Sequence, residues 1–255
     1  MKQYAVITGA SAGLGTEFAR QLAAKGYKLI LTARREDRLK QLAEELGTEC
    51  EIIPADLSST EECLRFFEAV RDKKIDIFIN NAGFGDCSLF LKGDLDKELS
   101  MVDVNVKAVH TLFKLMLQKL QNENRGYILN VASSAGLLPA GPYMATYYAT
   151  KAYVTSLTQA VAQELKEQKS AVYVGVLCPG PVDTEFNEVA NVEFALPGIT
   201  PEYCVRYALH QMAERRTVIV PTLLMKLSTT LGRISPRKLS VMITSGQQRR
   251  KLGKR

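Results

Sequence analysis

The sequence predicts a doubly wound α/β fold, a parallel sheet of about seven strands with helices on both faces in three αβα layers. Short apolar runs alternate with longer amphipathic stretches, the signature of successive β-α-β units. A glycine-rich run, Thr8-Gly9-Ala10-Ser11-Ala12-Gly13-Leu14-Gly15, joins the first apolar run to the first amphipathic stretch. A length of 255 residues with 46% hydrophobic content supplies one substantial core without demanding a second domain, so residues 1–255 are read as one domain with 221–255 as a basic C-terminal helical extension.

Taken in order, residues 3–8, 27–33, 50–55, 75–80, 126–132 and 171–178 read as strands, and Thr217-Val218-Ile219-Val220 as a short last one. The segments 13–25, 36–47, 59–73, 98–122, 143–168 and 201–215 carry helical periodicity. Gly26 and Gly47 stand where helix C-caps belong, while Ser58 or Ser59, and Thr200 with Pro201, mark helix starts. No internal repeat, low-complexity segment or linker interrupts the pattern. Ligands of such a sheet are expected beyond the carboxyl ends of its strands.

Composition narrows the function classes. No stretch approaches the roughly 20 apolar residues needed to span a bilayer, and Met1 to Ile7 runs into strand-like sequence with no apolar signal core, so a cytoplasmic protein is expected. Cys50, Cys63, Cys87, Cys178 and Cys204 lack CxxC spacing, and His110 and His210 are the only histidines, so neither a disulfide framework nor a metal site is expected. The net charge of +6 is uneven: residues 221–255 hold nine of the 33 basic side chains and no Asp or Glu, which leaves 24 basic against 27 acidic residues before them.

Tyr147 and Lys151 stand four residues apart, so on one helix the phenol and the ammonium share a face. Lowering a tyrosine from about 10 to about 7 takes roughly 4 kcal/mol. One cation at about 4 Å, at an effective dielectric of about 20, supplies that order of energy. The pair is therefore expected to act as a proton donor and acceptor at neutral pH, downstream of Ser133.

Gly9, Gly13 and Gly15 let the backbone turn sharply and approach a pyrophosphate, whose charge meets the helix N-terminus. An ordinary tight turn would use the same glycines, but their place between strand and helix favours a Rossmann-like dinucleotide site. The P-loop lysine and its Ser/Thr partner are absent. Where an NAD site carries a carboxylate after the second strand, Ala33 is followed by Arg34 and Arg35, which suit the 2′-phosphate of NADP; NAD is the less favoured cofactor. Asp56 is a candidate acceptor for the adenine amino group, or a cap for the helix that follows.

Together these motifs resemble the short-chain dehydrogenase/reductase family over about residues 3–220. Further motifs carry the resemblance: Asn80-Asn81-Ala82-Gly83, Asn105 in Val104-Asn105-Val106, Ser133 in Asn130-Val131-Ala132-Ser133-Ser134, and Pro179-Gly180-Pro181-Val182-Asp183-Thr184. It implies a tetrad of Asn105, Ser133, Tyr147 and Lys151, in which Tyr147 exchanges a proton with the substrate oxygen and Ser133 holds that oxygen. Lys151 lowers the tyrosine and bonds the nicotinamide ribose, and Asn105 orients a water linking Lys151 to solvent, unless it is a helix-bending residue alone. The implied NADP(H) contacts are Gly9, Ser11, Gly13, Leu14, Gly15, Arg34, Arg35, Asp56, Asn81, Ala82, Gly83, Tyr147, Lys151, Pro179, Gly180, Val182 and Thr184. Ala12 departs from NADP-preferring relatives, which often carry a basic residue there. A homodimer through helices 98–122 and 143–168 is implied, and the atypical C-terminus puts the usual homotetramer in doubt.

The substrate pocket is expected behind Phe84, Gly85, Leu137 to Pro139 and the segment 185–199, whose Phe186, Phe194, Ala195 and Leu196 suit a lid over a bulky hydrophobic alcohol or ketone such as a hydroxysteroid, a bile acid or a 3-oxoacyl chain. The alternative is that these residues pack on the body and report nothing of substrate. In the tail, Leu223, Leu224, Leu227 and Leu231, then Leu239, Val241, Met242 and Ile243, suggest two short helices with basic flanks. They would dock on the substrate mouth, lie on an anionic membrane, attract an anionic substrate, or pack their leucines on the body and solvate their arginines. Nucleic acid is not expected, because the basic run lacks interleaved aromatics. Two functions follow: an NADP-dependent alcohol dehydrogenase or ketone reductase, or an NADP-binding sensor of the same fold without turnover.

Overall fold

A computed structural model describes residues 3–186, 190 and 198–251. Its strands are β1 (Tyr4–Thr8), β2 (Lys28–Thr32), β3 (Cys50–Ile52), β4 (Ile75–Asn80), β5 (Tyr127–Val131), β6 (Tyr173–Leu177) and β7 (Val218–Ile219). They form one parallel sheet in the order β3-β2-β1-β4-β5-β6-β7. The chain winds outward from β1 through β2 to β3, then restarts on the other side of β1 with β4. This reversal opens a crevice at the carboxyl ends of β1 and β4, where open α/β sheets bind ligands.

Both faces of the sheet are covered, so its strands are apolar throughout and alternation sorts side chains between two cores. Ala5, Ile7, Ile77 and Ile79 face one core with Phe18, Leu22 and Leu39. Val6, Phe78 and Ile128 face the other with Phe66, Leu112 and Met116. The first core is closed by α1 (Gly13–Ala24), α2 (Glu36–Leu46) and α7 (Pro201–Ala213), and the second by α3 (Thr60–Val70), α5 (Val109–Glu123) and α6 (Ala145–Glu167). Each fully buried Phe, Leu or Ile contributes about 1.5–3 kcal/mol.

Polar cross-links fix the sheet at the crevice. Asn80 donates to Asn130 Oδ1 (3.0 Å) and to the Val109 carbonyl (3.0 Å), and Asn130 donates on to Thr158 Oγ1 (2.9 Å). All three side chains are buried, and losing one partner would strand the next at about 1–3 kcal/mol.

Most caps fall where the sequence places them. Ser59, rather than Ser58, caps α3 by accepting from Glu62 N, and Thr200 caps α7 ahead of Pro201. Gly47 ends α2 with φ +59°. The helix expected over 98–122 differs. It begins earlier, as α4 (Leu95–Val102), because Asp94 accepts from the backbone N–H groups of Asp96 and Lys97. It then passes through a π-helical stretch, Asp103–Ala108, into α5. Strand β3 stops at Ile52, short of the expected residue 55, where Pro54 has no N–H to offer.

The tail forms two helices, α8 (Leu223–Ile234) and α9 (Arg237–Lys251). Their leucines do not pack on the body: Leu223, Leu224, Leu227 and Leu231 are exposed, and it is Thr229 that is buried. Among the described residues, no helix is long and apolar enough to cross a membrane.

Candidate active site

A cleft of about 420 Å³ opens over the carboxyl ends of the strands. Its lining includes Gly9, Ser11, Gly13, Leu14, Arg34, Arg35, Asp56, Asn81, Ala82, Gly83, Ser133, Tyr147, Lys151, Pro179, Gly180, Val182 and Thr184. Of the tetrad and cofactor residues expected in the site, Gly15 and Asn105 are the two that do not line it.

The turn between β1 and α1 is shaped to receive an anion. Gly9 has φ +65° and Gly13 φ +54°, conformations that L side chains rarely adopt. A Cβ at Gly15 would lie 2.1 Å from the Gly9 carbonyl oxygen, so the turn closes only on glycine. Ala12 precedes α1 with no side-chain cap and no acidic residue follows in the first turn, so the helix N-terminus presents its N–H groups toward the cleft uncontested. Thr8 Oγ1 accepts from the N–H groups of Asn81 and Ala82 (2.9 Å each), and Asn81 Nδ2 donates to the Thr8 carbonyl (2.9 Å). The NNAG segment is thereby locked against the glycine turn. A cradle of this form fits the pyrophosphate of a dinucleotide.

The cationic corner lies at the end of β2. Arg34 is exposed and makes no hydrogen bond or ion pair among the described residues. Arg35 donates to Ser11 Oγ (3.3 Å) and to the Ser11 carbonyl (3.2 Å), bracing the glycine turn, and also reaches Glu185 Oε2 (3.3 Å). Arg38 donates to Glu185 Oε1 at 2.5 Å. The Arg38 guanidinium, with a smaller contribution from Arg35, holds the Glu185 carboxyl below the usual carboxylate range. Arg38, a helical turn beyond Arg34, is not among the expected site residues, and Glu185, 147 residues from Arg38, was expected only as the first residue of the lid segment 185–199 and not as a partner of the arginines. Asp56 Oδ1 accepts from Ser58 N (3.0 Å) and Ser58 Oγ (2.9 Å), so it shapes the loop before α3 while Ser59 does the capping.

Tyr147 and Lys151 lie on one face of α6 and are both buried. The electrostatics depart from expectation. Burial pushes the Tyr147 phenol up to about 12, against a downward pull from a hydrogen bond with Ser133. Burial also brings the Lys151 ammonium down to about 8. Lys151 Nζ lies 5.8 Å from the centre of the Tyr147 ring and donates to the Val131 carbonyl at 3.0 Å. In a dry site desolvation of the phenolate outweighs a cation held at this distance. The expectation that this pair alone brings the tyrosine to neutral pH is therefore corrected.

The expected tetrad is assembled by contacts between elements. A Cβ at Gly83 would stand 3.2 Å from Lys151 Nζ and 2.8 Å from Asn105 Oδ1, so a glycine there leaves room for both. Asn105, in the π-helical stretch, donates to the Phe84 carbonyl (2.8 Å) and to Thr150 Oγ1 (3.1 Å) and accepts from Phe84 N (3.0 Å). Both amide protons are taken, and the side chain acts as a strut between Phe84 and α6. Ser133 begins a short 3₁₀ turn, with Oγ accepting from Ala135 N (3.2 Å), and presents its hydroxyl toward Tyr147. Thr184 Oγ1 accepts from Phe186 N (3.3 Å).

The far end of the cleft is apolar, with Phe84, Met144, Tyr148 and Phe186 in its wall. Phe186 lies 5.6 Å from Tyr147, ring centre to ring centre, and a Cβ at Gly85 would stand 2.8 Å from the Phe186 ring, so this glycine lets Phe186 approach the tyrosine. Leu137 and Leu138 pack behind this wall in neighbouring apolar clusters. Phe194, Ala195 and Leu196 lie outside the described residues. Met144 and Tyr148 were not expected here; Met144 stands three residues before Tyr147 and four before Tyr148, the helical spacings that are the signal that finds them.

Known proteins resemble this chain in sequence and in fold. A family model described as short chain dehydrogenase matches residues 3–193. An uncharacterized oxidoreductase of Staphylococcus epidermidis is 33% identical over 189 residues, 73% of this chain and 81% of that protein. A very-long-chain 3-oxoacyl-CoA reductase of Neurospora crassa is 34% identical over 215 residues, 81% of this chain and 63% of the reductase. Among solved structures, a short-chain dehydrogenase from Sphingobium yanoikuyae in complex with NADPH has a TM-score of 0.81 at 28% identity, covering 92% of this chain and 97% of the other.

Proposed function

The chain belongs to the short-chain dehydrogenase/reductase family of oxidoreductases, and from that premise we propose that it interconverts a secondary alcohol and a ketone with NADP(H), on a bulky hydrophobic substrate. The convergence of Ser133, Tyr147 and Lys151 in the cleft that begins at the glycine turn carries this reading. The cofactor fit rests on the cradle of Gly9, Gly13 and Gly15, on the bare N-terminus of α1, and on Arg34 and Arg35 in the cleft wall with Arg38 beside them, cations that would suit a ribose 2′-phosphate. A bound nicotinamide supplies the hydride.

The chain's own residues do the rest. Tyr147, protonated up to about 12, gives its proton to the carbonyl oxygen as the carbon is reduced. Ser133 donates a hydrogen bond to the same oxygen, holding it within reach of the phenol. Lys151, charged below about 8, steadies the phenolate left behind and meets the ribose hydroxyls. Asn105 is a positioning residue: it holds Phe84 and Thr150, and through the Thr150 hydroxyl, which donates to the Tyr147 carbonyl at 2.8 Å, the turn of α6 that carries the tyrosine. Phe84, Met144, Tyr148 and Phe186 exclude water from this end of the cleft and suit a steroid or 3-oxoacyl ketone, the latter being the substrate type that the Neurospora relative's name prints.

Mixing the protein with NADPH and a panel of steroid and acyl ketones tests the reading. Loss of the reduced nicotinamide absorbance on members of the panel is expected. NADPH binding with no turnover on any ketone of the panel would instead assign the fold to a sensor.

A further inference from the structure

We propose that the outward face of α8 and α9 docks on an anionic lipid surface. Both helices are inside out for a soluble body. Helix α8 buries Thr229 and exposes Leu223 (71%), Leu224, Leu227, Leu231 and Ile234 (77%). At 3.6 residues per turn these five fall within an arc of about 100°, one continuous stripe. Helix α9 buries Ser240, Thr244 and Gln248, one polar face at four-residue spacing, and exposes Leu239, Met242 (65%) and Ile243. Polar bonds hold the buried side: Thr229 donates to the Met225 carbonyl (2.7 Å), Ser240 to the Gly232 carbonyl (3.3 Å), and Gln248 to the Tyr148 hydroxyl (2.5 Å). Among the described residues, none in the body buries these apolar side chains.

The charge around that stripe selects its occupant. Lys226 and Arg233 flank it on α8, and Arg237, Lys238 and Arg249 stand exposed on α9. No Asp or Glu occurs from residue 221 to 255 to neutralise them. A shallow basin lined by Pro142, Arg237, Lys238, Val241, Met242 and Arg249 sets three cationic heads around an apolar floor, which suits a lipid phosphate with its acyl chain beneath. A second copy of the chain would bring an equally basic stripe against this one, which repels, whereas an anionic bilayer complements it.

Docking would place the apolar end of the cleft at the lipid. Met225 of α8 packs where a Cβ at Gly180 would go, Gly232 lies against Leu138, and Gln248 of α9 holds Tyr148. The inference concerns binding alone and stands whichever ketone the cleft accepts.

Co-sedimentation of the full chain with vesicles of phosphatidylcholine, with and without added phosphatidylglycerol, tests it. Binding is expected only with phosphatidylglycerol, and to weaken as salt rises. Leu227→Glu with Leu231→Glu should abolish it while leaving thermal stability and NADPH-dependent turnover unchanged, since both leucines are exposed and outside the cleft. Lys226→Gln with Arg233→Gln should weaken it on the order of tenfold. A protein that stays in the supernatant at every phosphatidylglycerol content overturns the proposal, as does a leucine double variant that still binds. So does a lipid-independent dimer that the leucine variant disperses, which would assign the face to a second copy.

Discussion

The Lys151 ammonium donates to the Val131 carbonyl at 3.0 Å from a buried position, and it is the burial that decides how the site responds to pH. Burial lowers Lys151 to about 8, whereas Tyr147 stays protonated to about 12. Below about 8 the lysine is charged and the tyrosine holds its proton, which is the state that the proposed reduction requires. As pH rises through about 8 the cation is lost first, and the phenolate is then left with only its hydrogen bond to Ser133. The kcat/KM for the ketone at saturating NADPH, which includes the proton transfer, should fall about tenfold per pH unit above that point. A profile flat from neutral pH to about 10, the range of an unperturbed tyrosine, would show that neither shift governs reduction.

Removing the Tyr147 hydroxyl takes away the proton donor and leaves the cleft's shape. Tyr147→Phe should lower kcat by about 10²–10⁴, the usual range for a general acid. NADPH affinity, measured by fluorescence titration, should stay within about threefold, because the glycine cradle and Arg34 are untouched. Retained turnover would dismiss the tyrosine assignment.

Glu185 holds Arg35 and Arg38 from across the cleft, where a 2′-phosphate would compete for them. Glu185→Gln should therefore tighten NADPH by up to about fivefold, the span of an exposed ion pair, and leave NADH unchanged. Arg34→Ala and Arg38→Ala should each weaken NADPH far more than NADH. Equal losses for the two cofactors in calorimetric titrations would remove the arginines from the 2′-phosphate.

The contrast between Arg34 and Glu185 shows what the sequence could carry. Strand periodicity, the glycine turn and the spacing of Tyr147 to Lys151 are local patterns, and local patterns determine elements and the face each side chain takes. Arg34 follows its strand directly and is legible for that reason. Glu185 meets Arg38 only because the segment after β6 reaches back across the cleft to the first turns of α2, and no pairing rule in the chain announces it. The tyrosine electrostatics failed for a different cause: spacing gives a distance but says nothing of desolvation, which here outweighs the cation. In α8 the amphipathic period was legible but its direction was not, because periodicity defines a stripe without saying whether the stripe or its opposite side meets the body.

Gln248 and Tyr148 join the tail to the cleft, and their bond is open to a double-mutant test. Gln248 is buried; its amide nitrogen donates to the Tyr148 hydroxyl, and its Oε1 has no hydrogen-bond partner among the described residues. Tyr148→Phe would leave the whole amide buried without a partner, at about 1–3 kcal/mol. For a chain of this size each kcal/mol lowers Tm by about 2–4 °C. Gln248→Met removes the unmatched oxygen along with the bond and should be close to neutral. In the pair Tyr148→Phe with Gln248→Met both partners become apolar at nearly constant volume, so most of the loss in Tm should return. Thermal denaturation of the four proteins measures the coupling. Additive changes would mean that the 2.5 Å contact contributes nothing to holding α9 on the body.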